Sequence, residues 1–272
     1  MKMKNTKLLG SHIENFDAAL GGGVPEGHIV LVYGGAGTMK SSICFNILFN
    51  ETLGGKKGVY ISIEQNSLSL LKQMVSIGIE IPKVNIEVLN GANDVLKGIK
   101  KMKDSEPNKL TIVDFGTIRK ELGMPTKTTS KAHFAFSDDI VNTILTIART
   151  LAEKKLCDIV VIDSLTALYS LTELKNPRSE IFYLFEYLRE IGLTAFIISE
   201  EVEFDAPHSG LGIENYLVDG IIHLHHSERN RKVIREISVV KMRAMACNND
   251  IYSLEFDGKK FRSLYGGKVP LV

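Results

Sequence analysis

The stretch HIVLVYGGAGTMKSSICFNILFNETL, residues 28–53, decides the fold of this chain. An apolar run typical of a buried strand leads directly into a glycine-rich turn, and an apolar segment of helical length follows. Because glycine lets backbone N–H groups converge on an anion at the start of a helix, this order predicts a phosphate-binding loop. The sequence therefore predicts a strand at 28–33 and a helix at 40–53, with the loop between them.

The loop GGAGTMKSS, residues 34–42, has residues suited to binding a nucleotide. Lys40 would bring its charge to the β- and γ-phosphates, and the Ser41 hydroxyl would be a ligand of Mg²⁺. Met39 stands where the pattern G-x-x-x-x-G-K-[ST] has glycine. We expect Met39 to adopt a helix-start conformation and binding to survive, with Gly37 supplying freedom nearby. The alternative is a glycine-rich turn that leads into a core helix.

Beyond this segment, short runs rich in Val and Ile alternate with longer segments of helical period. This pattern predicts an α/β fold whose mainly parallel sheet is covered by helices on both faces. Further strands are predicted at 58–63, 110–114, 158–163 and 194–199, and further helices at 66–78, 92–103, 138–155 and 178–191. Residues 219–272 alternate more evenly, which predicts antiparallel strands that extend one edge of the sheet. The polar stretch 115–137 predicts a long loop.

Composition limits the other possibilities. The 272 residues suit one domain, 1–272, and 33 basic against 32 acidic residues leave a formal charge of +1. This balance predicts no overall attraction to nucleic acid or anionic membranes. No apolar run approaches 18 residues, so we expect neither a membrane span nor a signal sequence. Cys44, Cys157 and Cys247 are far apart in the sequence, which favours reduced side chains and a cytoplasmic protein.

Two predicted strands end in acidic residues, at the edge where an α/β sheet presents its ligand site. Asp163 closes DIVVID, residues 158–163, and is placed to orient Mg²⁺; alternatively it caps the following segment. Glu64 follows the strand GVYISI, residues 58–63, and is the candidate for activating a water molecule. The alternative for Glu64 is a role at the start of the helix at 66–78.

A resemblance to a known family covers nearly the whole chain. The segment FDAALGGGVPEGHIVLVYGGAGTMKSS, residues 16–42, resembles the opening of KaiC-like and RadA-like ATPases. The likeness continues at the following places: GVYISIEQN (58–66), VVIDSLTALY (160–169), RSEIFYLFEYLREIGLTAFIISE (178–200), GIENYLVDGIIHL (212–224) and ISVVKMRAM (237–245).

The resemblance implies a RecA-like P-loop NTPase that often forms hexameric rings, with ATP between neighbouring subunits. It implies nucleotide contacts by Gly35, Ala36, Gly37, Thr38, Met39, Lys40, Ser41 and Ser42. It places Mg²⁺ on Ser41 and Asp163 and gives the activation of water to Glu64. By the same resemblance, Lys241 and Arg243 reach the γ-phosphate of the adjacent subunit. Without the family, the KMR sequence is one more charged strand end.

Gln65 departs from the family, which has a second glutamate at this point. Together with Met39, it leads us to expect slow hydrolysis. Ser199, in the acidic run SEEVEF (199–204), could contact the γ-phosphate, or the run is a solvated loop. The basic groups at 97–103 and 228–235 could attract DNA or could be solvated faces.

His223, His225 and His226 form one further cluster. Strand alternation would place His223 and His225 on one face. Two ligands do not close a zinc site, so solvated or hydrogen-bonded side chains are the favoured interpretation.

Three functions follow as hypotheses. The first is a slow Mg²⁺-dependent ATPase whose nucleotide state controls oligomerisation or the binding of an unidentified protein partner. The second is a nucleotide-binding scaffold with little hydrolysis, favoured by Met39 and Gln65. The third is a recombinase-like accessory protein acting on DNA, favoured by the fold resemblance and the basic groups.

Overall fold

The computed structural model describes residues 7–90, 99, 108–121, 137–171, 177–200, 214–229 and 231–265. Its strands are β1 (Leu8–Leu9), β2 (Ile13–Glu14), β3 (Val24–Pro25), β4 (Ile29–Gly34), β5 (Gly58–Ser62), β6 (Asn85–Leu89), β7 (Lys109–Asp114), β8 (Ile159–Asp163), β9 (Thr194–Glu200), β10 (Gly220–Arg229), β11 (Lys232–Met242), β12 (Ile251–Phe256) and β13 (Phe261–Tyr265).

The helices in the same residues are α1 (Lys40–Leu53), α2 (Ser67–Ser76), α3 (Phe115–Glu121), α4 (Ser137–Glu153), α5 (Leu165–Leu171), α6 (Pro177–Glu190) and α7 (Glu214–Leu217). A short 3₁₀ helix spans Ile81–Lys83. Among these described helices, none combines the length and the apolar character that crossing a membrane would need.

A large sheet organises the molecule. Its strand order in the described residues is β2-β13-β12-β11-β10-β4-β9-β8-β5-β7-β6. The seven strands from β10 to β6 in that order are parallel to one another. The prediction of a mainly parallel sheet is confirmed. Strands β10 to β13 pair antiparallel at one side, as the alternation in residues 219–272 predicted.

Two hydrophobic cores lie on opposite faces of the sheet because the central strands are apolar on both sides. On one face, α4, α5 and α6 pack through residues such as Ile147, Leu168 and Phe185. On the other face, α1 and α2 pack through residues such as Phe45 and Leu70. Burial on both faces leaves the strand ends as the place where polar side chains can lie.

Some predicted boundaries were wrong. The expected loop at 115–137 begins with a helix, α3, because Phe115 and Ile118 face the core and pack there. Its remainder, 122–136, lies outside the described residues, and so does the predicted helix at 92–103, apart from residue 99. Strand β6 was not predicted, since it lies at an edge and buries fully only Leu89.

Asp219 joins the start of β4 to α6 and to Arg243, the residue after β11. Its carboxylate accepts hydrogen bonds from the Ile29 amide at 3.1 Å, from Arg189 Nε at 3.2 Å and from Arg243 Nη1 at 2.9 Å. Burial alone would raise the pKa of Asp219, but these donors outweigh it and hold the pKa below its ordinary value. The ionised carboxylate therefore stabilises the junction.

We expect Asp219→Asn to lower the free energy of unfolding by about 2 kcal/mol at neutral pH, since charge-assisted hydrogen bonds are lost. A carboxyl group whose pKa is lowered by folding stabilises above its unfolded pKa and loses this effect as the pH falls through the folded value. The difference between wild type and variant should therefore shrink below about pH 4. Urea titrations from pH 3 to pH 7 measure this, with the exposed Glu228→Gln as control. A difference independent of pH would contradict the charge-based explanation.

Candidate functional site

The predicted phosphate loop connects the end of β4 to the start of α1. Gly34, the last residue of β4, lies so close to β10 that an added Cβ would fall 1.8 Å from the Leu224 carbonyl oxygen. Because the two backbones come this close, only glycine fits at position 34. Helix α1 then begins at Lys40, so the amide groups at its start point out of the carboxyl edge of the sheet.

Met39 corrects one of our expectations. Its φ of 75° and ψ of 25° lie in the left-handed region, and not in the helix-start conformation that we predicted. A residue with a Cβ pays about 1–2 kcal/mol for this conformation, which is why glycine is usual there. The methionine side chain is half-buried and packs against the core beneath α1.

Lys40 folds back over the loop. Its Nζ donates to the Gly34 carbonyl at 2.8 Å and to the Gly35 carbonyl at 2.9 Å. Burial lowers the pKa of Lys40, while nearby carboxylates oppose the change. The ammonium group is therefore a buried cation at the centre of the loop, able to exchange carbonyl partners for phosphate oxygens.

Asp163 ends β8 beside the loop. Its carboxylate accepts a hydrogen bond of 2.5 Å from the Tyr60 hydroxyl and another from the Ser41 hydroxyl. Burial raises the pKa of Asp163, and the bonds from Tyr60 and Ser41 counteract that effect. Mg²⁺ prefers hard oxygen ligands and keeps several waters, so adjacent hydroxyl and carboxylate oxygens fit this ion. Among the described residues, no group of three or more His, Cys, Asp or Glu side chains forms a metal site. A cation held by Ser41 and Asp163 would therefore need further ligands.

Glu64 follows β5 and faces the same space. Its Oε1 accepts a hydrogen bond from Ser164 Oγ at 3.0 Å, and Ser164 is the residue after Asp163. Desolvation raises the pKa of Glu64, and the negative charge of Asp163 adds to the effect. A carboxylate with a raised pKa that lies beside a phosphate loop can act as a proton acceptor.

A cleft of about 320 Å³ collects these groups at one edge of the sheet. Of the predicted site residues, its walls include Ala36, Gly37, Met39, Lys40, Ser41, Ser42, Glu64 and Asp163. Gly35 and Thr38 belong to the same loop, and Thr38 Oγ1 donates to the Gly35 carbonyl at 2.9 Å.

Sequence reasoning missed five residues that line the cleft: Gln73, Ile77, Ser164, Ile198 and Glu200. Of these, Glu200, at the end of β9, is the charged one. The nearest signal was the acidic run at 199–204, from which we chose Ser199. That hydroxyl is buried, with its Oγ 3.3 Å from Thr166 Oγ1, while the next residue reaches the cleft.

Lys241 and Arg243 do not join the cleft of their own chain. Lys241 Nζ donates to the carbonyls of Asn215 and Val218, and Arg243 binds Asp219, beside the first residue of β4. The phosphate loop leaves the other end of this strand, about 16 Å away at roughly 3.3 Å per residue. Within one chain, the pair and the loop lie at opposite ends of β4.

The hairpin of β10 and β11 contributes a contact that the sequence did not indicate. Arg235 Nε donates to the Gly37 carbonyl at 3.1 Å, so part of the basic group at 228–235 contacts the phosphate loop.

We predicted that His223 and His225 share one face of a strand. Their rings stack with centroids 4.9 Å apart, which confirms the prediction. His225 Nε2 lies 2.7 Å from the Glu236 carboxylate, so this histidine is hydrogen-bonded, as the favoured interpretation required.

Comparisons with known proteins show which family this chain resembles. A family model described as "ATPase: KaiC" matches residues 9–260. A UPF0273 protein of Pyrobaculum aerophilum is 29% identical over 86% of this chain and 74% of its own length. The Circadian clock oscillator protein KaiC of Prochlorococcus marinus is 26% identical over 85% of this chain, which corresponds to 40% of that protein.

The fold has a counterpart among solved structures. A KaiC-like protein from the hyperthermophilic archaeon Pyrococcus horikoshii superposes with a TM-score of 0.69 at 23% identity, over 95% of this chain and 99% of the other. The fold and the match to the family model define an ATPase of the RecA superfamily. Within that superfamily, the chain belongs to the KaiC family of ATPases, a membership that supports nucleotide binding and ATPase activity.

The left-handed conformation of Met39 gives a prediction about stability. Met39→Gly should be more stable than Met39→Ala by about 1 kcal/mol, because both lose the side chain but only alanine keeps the Cβ strain. Exposed Lys72, within α2, is the matched control. There the order should reverse, with glycine about 1 kcal/mol less stable than alanine. Denaturant unfolding of the four variants measures both differences; greater stability of Met39→Ala would contradict the left-handed conformation.

Proposed function

We propose that this protein is a slow Mg²⁺-dependent ATPase whose nucleotide state controls its assembly into homo-oligomers or its binding of a protein partner. The observation that carries the proposal is the cleft at the carboxyl edge of the sheet. There Lys40 of the phosphate loop, Asp163 with its partner Ser41, and Glu64 face one space. These groups are the ones that phosphoryl transfer to water requires.

ATP would bind with its phosphates against the amides of residues 35–42 and the start of α1. Lys40 would exchange the Gly34 and Gly35 carbonyls for oxygens of the β- and γ-phosphates. Ser41 and Asp163 would hold the metal, which supplies charge neutralisation to the phosphates when it is bound. The short bond from Tyr60 would keep the Asp163 carboxylate oriented toward the loop.

Glu64 would accept a hydrogen bond from the attacking water and orient it toward the γ-phosphate. The bond from Ser164 limits the rotation of this carboxylate and ties it to the residue beside Asp163. Two features support slow turnover. Met39 places a strained, side-chain-bearing residue in the loop, and Gln65 stands where the family has a second glutamate.

Completion of the site would come from a second subunit. Lys241 and Arg243 lie at the end of β4 opposite to the loop, where they could reach only the cleft of a neighbour. A head-to-tail arrangement brings these two different surfaces together, and repeating it builds a ring such as the hexamers of the family. We extend the proposal to this assembly and to a cytoplasmic location.

A scaffold with little hydrolysis is the second candidate, because the same two departures, Met39 and Gln65, also favour it. Gln65 is a neutral amide and so adds no second carboxylate; its Nε2 donates to Gln73 Oε1 at 3.4 Å. The proposed action on DNA gains no such support. In the basic group at 228–235, Arg235 is engaged with the phosphate loop, and the group at 97–103 lies outside the described residues except for residue 99.

The first experiment measures binding and turnover together. At a ligand concentration of about 100 times the dissociation constant, Mg-ATP should stabilise the wild type by about 2.7 kcal/mol. Lys40→Ala should lose this stabilisation, whereas Lys83→Ala, an exposed lysine paired with Glu80, should keep it. Glu64→Gln should bind Mg-ATP and release less phosphate than wild type by a factor of about 100 or more.

The outcomes separate the candidates. Absence of stabilisation in the wild type would refute nucleotide binding as proposed. Stabilisation without phosphate release above the Lys40→Ala background would replace the ATPase by the scaffold.

The contribution of a neighbour is tested by mixing two inactive variants, Glu64→Gln and Arg243→Ala. Random mixing joins an intact Glu64 surface to an intact Arg243 surface at about one interface in four, so turnover should recover to about a quarter of the wild-type value. Co-elution of differently tagged subunits controls for assembly. Mixed oligomers that stay inactive would argue against a role of Arg243 in trans.

A further inference from the structure

Glu200 has a fixed place beside the phosphate loop. It is the last residue of β9 and pairs in register with Gly34, the last residue of β4. Its amide N–H donates to Thr166 Oγ1 at 2.9 Å, which anchors the backbone at the start of α5. From that position the exposed side chain lines the same cleft as Lys40.

The cleft has an excess of negative charge before any nucleotide enters. Its charged walls are one lysine, Lys40, and three carboxylates, Glu64, Asp163 and Glu200. Asp163 and Glu64 accept hydrogen bonds from hydroxyl groups. For the Glu200 carboxylate, the part of the chain that the structure describes offers neither a hydrogen bond nor an ion pair. No direct contact among these residues therefore neutralises its charge, which adds to the negative charge of the cleft.

Electrostatic coupling supports the same placement. Of the three carboxylates that oppose the lowering of the pKa of Lys40, Glu200 has the largest effect. The charge of Glu200 also contributes to the raised pKa of both Glu64 and Asp163. One residue thus acts on every charged group of the cleft.

The excess of negative charge in the cleft affects binding because the ligand is itself charged. Free ATP carries about four negative charges at neutral pH, whereas the magnesium complex carries about two and presents a divalent cation toward the carboxylates. In a partly buried cleft, each unit charge within several ångström contributes an interaction on the order of 1 kcal/mol or more. The Glu200 carboxylate therefore repels the free nucleotide strongly and the metal complex weakly.

We propose that Glu200 makes the cleft select metal-chelated ATP over free ATP. The inference rests on the proposed function, because it assumes that ATP occupies this cleft. Glu200 acts here as a specificity residue through its charge, and the activation of water stays with Glu64. Its role is to prevent the loop from being occupied by a nucleotide that lacks the cation needed for hydrolysis.

The test measures affinity instead of turnover. Titration calorimetry gives the dissociation constant of the non-hydrolysable analogue AMP-PNP, once with Mg²⁺ and once with EDTA, and the ratio of the two constants is the selectivity. Glu200→Gln should bind the metal-free analogue about tenfold more tightly, while affinity for the magnesium complex changes less than about threefold. Glu200→Asp keeps the charge and should retain most of the wild-type selectivity. Glu190→Gln, exposed at the end of α6 where β9 begins, should retain all of it.

The measurement distinguishes failure of the proposed function from failure of the proposed role of Glu200. A wild type that binds the analogue under neither condition would refute the proposed function itself. A wild type that binds, with the same selectivity in Glu200→Gln, would refute only the role of Glu200. Equal loss of selectivity in the Gln and Asp variants would also refute it, because the charge would then not be the cause.

Discussion

The register of the parallel strands is the constraint on which the rest of this molecule depends. Asp163 pairs with Ser62 of β5 on one side and with Ile198 of β9 on the other, and Gly34 pairs with Glu200. Parallel strands need crossover helices on both faces, so their interiors are apolar and polar side chains are excluded until each strand ends. The candidate chemistry is therefore confined to one edge of the sheet, where the ends of β4, β5, β8 and β9 meet.

Much of this arrangement was predictable because it is local in the sequence. The alternation of Val- and Ile-rich runs with helical segments located the central strands and placed α1 at 40–53, where the structure has it. Asp163 and Glu64 could be chosen because each follows a buried strand. Glu200 was missed for a related reason. Its strand is one residue longer than predicted. The acidic residues next to it are typical of a loop, so the sequence did not indicate where the strand ends.

Other features depend on contacts between distant parts of the chain. The left-handed conformation of Met39 is imposed by the loop geometry between β4 and α1, and no local pattern reveals that a methionine accepts it. The bond from Arg235 to the Gly37 carbonyl joins residues 198 positions apart, and it exists only because β10 pairs with β4 and β11 folds back along β10. Helix α3 forms where polar residues suggested a loop, since two apolar side chains suffice to anchor a short helix on the core.

Strand β4 connects the two surfaces that would meet in the proposed head-to-tail assembly. Its first residue is bound by Asp219, which also holds Arg243, and its last residue opens the phosphate loop. A largely buried strand that is paired on both sides is stiff. This one short element therefore fixes the distance and the angle between the two surfaces of the proposed head-to-tail assembly. The curvature of that assembly, and hence whether its turns close into a ring or continue as a filament, is then a property of the twist of the sheet around β4.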